Sequence, residues 1–165
     1  MTTIGALIRR DIPPRKVVTH ARAVQDGFDE LWVIEDLPFA GGISQVAAVL
    51  AATDEIAVGH GIAPAPFRNP AALAMEWATL AEFFPGRFIA GIGHGVQEWM
   101  GQIGDRVESP LTLLEETTLA VRRLLAGESV TVSGRYVQRE DVQLQYPPQP
   151  VPVVLAGVRG PRSLQ

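Results

Sequence analysis

The chain has 165 residues, 47% of them hydrophobic, and a formal net charge of −4, which suits one domain with a substantial core. The acidic balance gives no electrostatic reason for nucleic acid or anionic lipid as a partner. With no cysteine there are no disulfides or thiolate sites, and a reducing cytoplasm fits.

In chain order, the opening "MTTIGALIRRD" has too short an apolar run for a signal peptide or membrane span. A soluble cytoplasmic protein is the expectation. Within it, Ile4–Arg9 reads as a first strand. In "PPRKVVTHARAVQDGF" the residues Val17, Ala21, Val24 and Phe28 fall on one stripe of an amphipathic helix. "ELWVIE", Glu30–Glu35, is a second strand and "GGISQVAAVLAAT" a second helix. "EIAVGHGI", Glu55–Ile62, is a third strand. After "APAPFRNP" a third helix places Leu73, Trp77, Leu80 and Phe84 at helical spacing. Asn69 reads as its N-cap, with Pro70 at N1.

"RFIAGIG" is the fourth strand. A fourth helix starts at Pro110 behind Ser109 as N-cap and stops at Gly127. "SVTVSGRYVQ" reads as a hairpin turning at Ser133-Gly134, inside an insertion of about residues 127–150. "VPVVLAG", Val151–Gly157, is the fifth apolar strand, and "VRGPRSLQ" begins another helix.

Apolar strands alternating with helices indicate an α/β protein with a parallel sheet covered by its crossovers. A Rossmann sheet would place its glycine fingerprint after the first strand, where "RRDIPP" stands instead. Glycines and polar residues follow the second, third, fourth and fifth strands. Assembly of one site from many strand C-ends is the habit of a TIM-type (βα)8 barrel.

"ELWVIED", the run "GHGIAPAPFRNPAALAMEWATLAEFFPGRFIAGIGHGVQEWMGQIG", the hairpin and "VPVVLAGVRGPRSL" together resemble the luciferase-like monooxygenase superfamily. The branch they are most similar to uses coenzyme F-420, an 8-hydroxy-5-deazaflavin. The resemblance implies a barrel with the coenzyme ring over the strand C-ends and hydride transfer at its C5. Such barrels run to about 250 residues. Residues 1–165 are therefore expected to be one incomplete domain, truncated to roughly the first five βα units.

The resemblance also implies a site. Asp36, after the second strand, matches an acidic residue near the ring or substrate, the alternative being a turn or N-cap aspartate. Some relatives follow that aspartate with a histidine base; here Leu37 stands there. Gly61 and Ile62 match a non-proline cis peptide in a bulge behind the ring, while His60 is read as a core or supporting histidine. Gly91, Gly93 and Gly95 remove side chains where a flat ring would approach backbone. His94 takes the place of an acidic proton donor and can do acid–base work, or else merely hydrogen-bonds the ring or a carbonyl. Gln97 matches an amide that contacts the coenzyme, and Trp99 and Met100 are read as apolar lining or packing beneath the loop. Ala156, Gly157 and Val158 match a phosphate-binding turn at a helix start, with Arg159 or Arg162 adding charge. Histidines 20, 60 and 94 lie on different elements, so no metal site is expected.

The expected activity is hydride transfer between the deazaflavin and a small organic substrate. The alternatives are an FMN-dependent monooxygenase fed by a partner reductase, and a non-catalytic half-barrel. An apolar inner face left open by five strands implies a homo-oligomer or association with the missing C-terminal half.

Overall fold

The structure, a computed structural model, describes residues 2–157. Its strands are β1 (Gly5–Ile8), β2 (Glu30–Val33), β3 (Ala57–Pro64), β4 (Phe88–Gly93), β5 (Val130–Ser133), β6 (Gln138–Val142) and β7 (Val153–Ala156). Its helices are α1 (Pro14–Val24), α2 (Gly42–Ala52), α3 (Pro70–Phe83), α4 (Gln97–Gln102) and α5 (Pro110–Leu125). Five strands form one parallel sheet in the order β1-β2-β3-β4-β7, and β5 and β6 form a separate antiparallel pair.

The order decides the architecture. Right-handed crossovers between strands laid down in one direction put every helix on the same side of the sheet. A doubly wound sheet reverses direction and receives helices on both sides. Here the order never reverses, which is how a barrel wall is built.

Burial follows from that one-sided cover. Successive residues of a strand point to opposite faces. Leu31, Val33, Val58, Ala90 and Ile92 face the helices and belong to the core with Val17, Ala21, Val46, Leu50, Leu73 and Trp77. The other face carries Gly5, Trp32, Gly59, Gly61, Gly91 and Gly93, and at its two edges the exposed Leu7, Val153 and Leu155.

Most expected elements form, with local differences. α1 ends at Val24, and a 3-10 turn, Gln25–Gly27, carries Phe28 off the predicted stripe to a 38%-exposed position. Asn69 caps α3 by accepting the Ala71 N–H at 2.9 Å, with Pro70 at N1. Ser109 does not cap α5: its hydroxyl pairs with Thr112 Oγ1 at 2.8 Å. Gly127, at φ 81°, lies just beyond the α5 cap residue Ala126, a conformation glycine adopts without penalty. The hairpin turn spans Gly134–Val137 rather than Ser133-Gly134, closed by Gly134 N–H donating to Val137 O at 2.9 Å. Glu116 on α5 accepts the backbone N–H groups of Arg135, Tyr136 and Val137 at 2.8–2.9 Å and so ties that turn to the helix layer. α4 was not expected from the sequence. No helix among the described residues is long and apolar enough to cross a membrane.

Candidate active site

Because all five strands of the sheet are parallel, every strand C-end lies on one edge. Asp36 follows β2, Gly61 and Ile62 lie in β3, Gly93 ends β4, His94 and Gln97 follow it, and Gly157 follows β7. The edge thus gathers all the expected site residues among those described; Val158, Arg159 and Arg162 lie outside the described residues.

The Gly61–Ile62 peptide is cis, and the register with β4 slips between His60 and Ala63. This is the expected bulge at the expected residues. The Ile62 side chain lies across the inner face of β4. A Cβ placed on Gly93 would stand 2.1 Å from Ile62 Cδ1, and one on Gly91 2.8 Å from Ile62 Cγ2 and 2.2 Å from His60 O. Gly93 therefore makes room first for the chain's own Ile62, and Gly91 for the His60 carbonyl and Ile62, not directly for a ring. Trp32 fills the neighbouring strip in the same way. A Cβ on Gly59 or Gly61 would meet its indole at 2.4 or 2.8 Å, and the indole N–H donates to Glu30 Oε2 at 2.9 Å.

Around this floor stand the polar groups. Asp36 is not a helix cap, since Gly41 stands at the N-cap of α2 with no side-chain capping bond, but it does open a turn, its carbonyl accepting the Phe39 N–H at 2.8 Å. Its carboxylate instead pairs with Arg10 Nη1 at 3.0 Å. The Arg10 guanidinium also lies 5.3 Å from the centre of the Phe39 ring and 5.5 Å from that of Trp99, and these two rings meet edge-on at 6.4 Å. One arginine thus links the loops after β1, β2 and β4. Sequence reading missed Arg10. The signal available was its position after a strand C-end, where a barrel places site residues. Trp99 takes part in this cluster, and Met100 is buried beneath the loop, its sulfur 3.0 Å from where a Gly95 Cβ would stand.

His94 Nδ1 lies 2.5 Å from Gly95 O. A carbonyl only accepts, so Nδ1 carries the proton of that bond and Nε2 is left for outside partners. Gln97 turns its amide N–H groups back to His94 O at 3.0 Å and Gly95 O at 3.4 Å. That fixes the loop and leaves Oε1 as the acceptor. At the far strand, Gly157 N–H donates to Ile92 O at 3.2 Å. The expected phosphate cradle therefore lacks this N–H, which belongs to the sheet. Among the described residues, none would come within 4 Å of a Cβ on Gly157.

Behind the edge, toward the helices, lies a polar cluster the sequence did not announce. Glu35, 4% exposed, accepts Gly42 N–H at 2.8 Å and a two-pronged Arg68 guanidinium at 2.6 and 2.7 Å. His60, fully buried, accepts the Trp77 indole N–H on Nδ1 at 3.3 Å, so its ring proton sits on Nε2, 3.3 Å from Glu35 Oε2. That last contact is too bent to satisfy Nε2 as a hydrogen bond, so Arg68 is the firmer partner. Burial pushes the Glu35 carboxyl up, but His60, Arg68 and the Gly42 N–H outweigh it and hold it at about 2.

A one-directional parallel sheet, helices on one side and a cis bulge at the edge invite comparison with known proteins. The profile of luciferase-like monooxygenases matches residues 1–165. The chain belongs to that family. It is 31% identical over 154 residues to the 5,10-methylenetetrahydromethanopterin reductase of Methanolobus tindarius, covering 93% of this chain and 47% of that protein. It is 32% identical over 162 residues to the F-420-dependent glucose-6-phosphate dehydrogenase of Intrasporangium calvum, covering 87% and 48%. Its fold superposes on the coenzyme F-420 dependent tetrahydromethanopterin reductase of Methanopyrus kandleri with a TM-score of 0.85, at 23% identity, covering 98% of this chain and 52% of that one. The fold is thus a TIM-type barrel represented by five of its strands, and the chain spans about half the length of the relatives it matches.

Proposed function

We propose that this chain carries the ring-binding part of an oxidoreductase that uses coenzyme F-420 to move a hydride to or from a small organic substrate. The observation that supports it best is the inner face at the strand C-ends. There the Ile62 side chain lies across Gly91 and Gly93 as an apolar platform, on the same strand-end edge as Asp36, His94 and Gln97.

These residues fit a planar coenzyme. The platform offers an aliphatic surface over Gly91 and Gly93, and no described residue would crowd a Cβ on Gly157, where the part of the molecule beyond the ring would pass. When bound, the deazaflavin supplies hydride chemistry at its C5. Gln97 Oε1, left as an acceptor, would hold a ring N–H, and Ala156 and Gly157 would border the exit. His94, its Nδ1 occupied by Gly95 O, presents Nε2 to hold or release a proton. Asp36, oriented by Arg10, sets the charge beside that proton. Leu37 occupies the position of the histidine base found in some relatives, so proton transfer falls to His94.

The open inner face implies a second partner besides the substrate. Leu7, Val153 and Leu155 are 52%, 60% and 47% exposed, a surface that the remaining βα units of a whole-length protein or a second copy would cover. A monodisperse, cooperatively folding monomer of 17.8 kDa in light scattering would overturn that part of the reading.

The activity is tested by titrating the protein with F-420 and with FMN while following fluorescence and oxygen uptake. Binding of F-420 without oxygen uptake is expected. Binding of reduced FMN with oxygen uptake would instead favour a monooxygenase. In the whole-length enzyme, His94→Ala is expected to lower turnover about 10²-fold with little change in coenzyme affinity; unchanged turnover would return His94 to a loop-fixing role.

A further inference from the structure

The side chains of the buried cluster around Glu35 lie on the helix side of the sheet, yet two of its members are chain neighbours of inner-face residues. Glu35, in the link just beyond β2, precedes Asp36, and His60, in β3, precedes Gly61. One peptide bond joins each pair, so whatever fixes Glu35 and His60 on the helix side limits where Asp36 and Gly61 can stand on the other. We infer that Glu35 is a positioning residue for the inner-face site, acting through His60 and Arg68 from the opposite face of the sheet. The inference rests on the functional reading above, which places the coenzyme ring on that inner face.

Three observations give the cluster more than a packing role. First, Glu35 gathers four separate elements at one carboxylate. These are its own strand end, the first residue of α2 through Gly42 N–H, β3 through His60, and the turn before α3 through Arg68. A single group bridging four elements fixes their relative translation, and a site built from βα loops depends on that translation. Second, the cluster is packed without slack. A Cβ on Gly42 would stand 2.2 Å from His60 Nε2 and 2.7 Å from Glu35 Cβ, so His60 cannot shift toward α2. Third, the Arg68 fork spends both prongs on one carboxylate, a geometry lysine cannot reproduce. The imidazole is held in turn by the Trp77 indole. The chain of contacts therefore runs from the α3 core through His60 to the residue beside the bulge.

The test compares Glu35→Gln, Arg68→Lys and a control, Leu124→Ala, in the 165-residue chain. Leu124 is fully buried on α5, carries no polar group that could join the cluster, and destabilises on truncation through packing alone. The first readout is the nuclear magnetic resonance signal of the Ile62 Cδ1 methyl and the Gly93 amide, which lie on the far face from Glu35. The second is affinity for coenzyme F-420. Glu35→Gln and Arg68→Lys are expected to move both signals and to weaken the coenzyme about tenfold. Leu124→Ala, at equal or greater loss of melting temperature, is expected to do neither. The double variant Glu35→Gln/Arg68→Lys should shift the signals no further than one substitution alone, because the two groups act as a unit. Equal displacement by Leu124→Ala, or none by Glu35→Gln and Arg68→Lys, overturns the inference. If the unsubstituted chain binds neither F-420 nor FMN, the functional reading fails, and the positioning role is decided by the resonance comparison alone.

Discussion

The two faces of the sheet obey different rules. Toward the helices, Leu31, Val33, Val58, Ala90 and Ile92 are all 0% exposed, and even the polar groups, Glu35 and His60, are locked into contacts. Toward the inside, glycine recurs on β1, β3 and β4, two side chains (Trp32 and Ile62) fill most of the room it leaves, and the edges stay open. Stability is concentrated on one face and the proposed chemistry on the other. The strands and the loops that follow them join the two faces, so a change on one face reaches the other mainly through strand position.

The comparison can be broken by truncating one large side chain on each face. Trp77→Ala, fully buried among α3, His60 and Phe88, is expected to cost about 4 kcal/mol. Leu155→Ala, 47% exposed on the inner face, should cost less than about 1 kcal/mol in the 165-residue chain. Urea unfolding measures both, and equal losses would erase the distinction.

Acid provides the next largest effect. Glu35 is held at about 2 against an ordinary 4.5. Its folded value is depressed, so its contribution is complete above pH 4.5 and is lost as the pH falls toward 2. The difference corresponds to on the order of 3 kcal/mol. Stability measured across that window should fall in the unsubstituted chain and stay flatter in Glu35→Gln, the two curves converging at the acid end.

A smaller effect sharpens the contrast with one methyl group. Gly42→Ala drives its Cβ into His60 and Glu35 and should cost about 2 kcal/mol. Gly157→Ala, with no described residue within 4 Å of the new atom, should stay within about 0.5 kcal/mol of the unsubstituted protein. The smallest change is expected for Leu7→Ser with Val153→Thr on the open edges. Melting should hardly move while self-association, followed by sedimentation, falls.

Local patterns explain what was legible from the sequence. Strands and their order follow from apolar runs and crossovers, the α3 start from Asn69-Pro70, and the bulge from the family resemblance at Gly61-Ile62. What escaped were contacts between residues far apart in the chain. Arg68 and Glu35 are 33 positions apart, and Arg10 and Asp36 are 26 apart; each pair meets only once the strand register is set. The glycines of β4 were read correctly as places without side chains, but the sequence could not say that Ile62 would occupy them. Gly157 was assigned a free N–H that the β4–β7 ladder consumes. Ser109 had the residue type of a cap, but its hydroxyl found Thr112.

The Glu116 clamp on the hairpin has its own consequence. Its carboxylate holds the turn by three backbone N–H groups and no side chain, so it reads the shape of Arg135–Val137 and not their identity. Other contacts do constrain type: a Cβ on Gly134 would stand 2.6 Å from the carboxylate, the Tyr136 hydroxyl accepts the Ser109 N–H at 2.9 Å, and Val137 is buried. Substitution is therefore cheap at the exposed Arg135, whose pairing with Glu108 is solvated, so long as the loop keeps its curve. The excursion between α5 and β7 has one replaceable position at its tip, flanked by three that moor it to the wall.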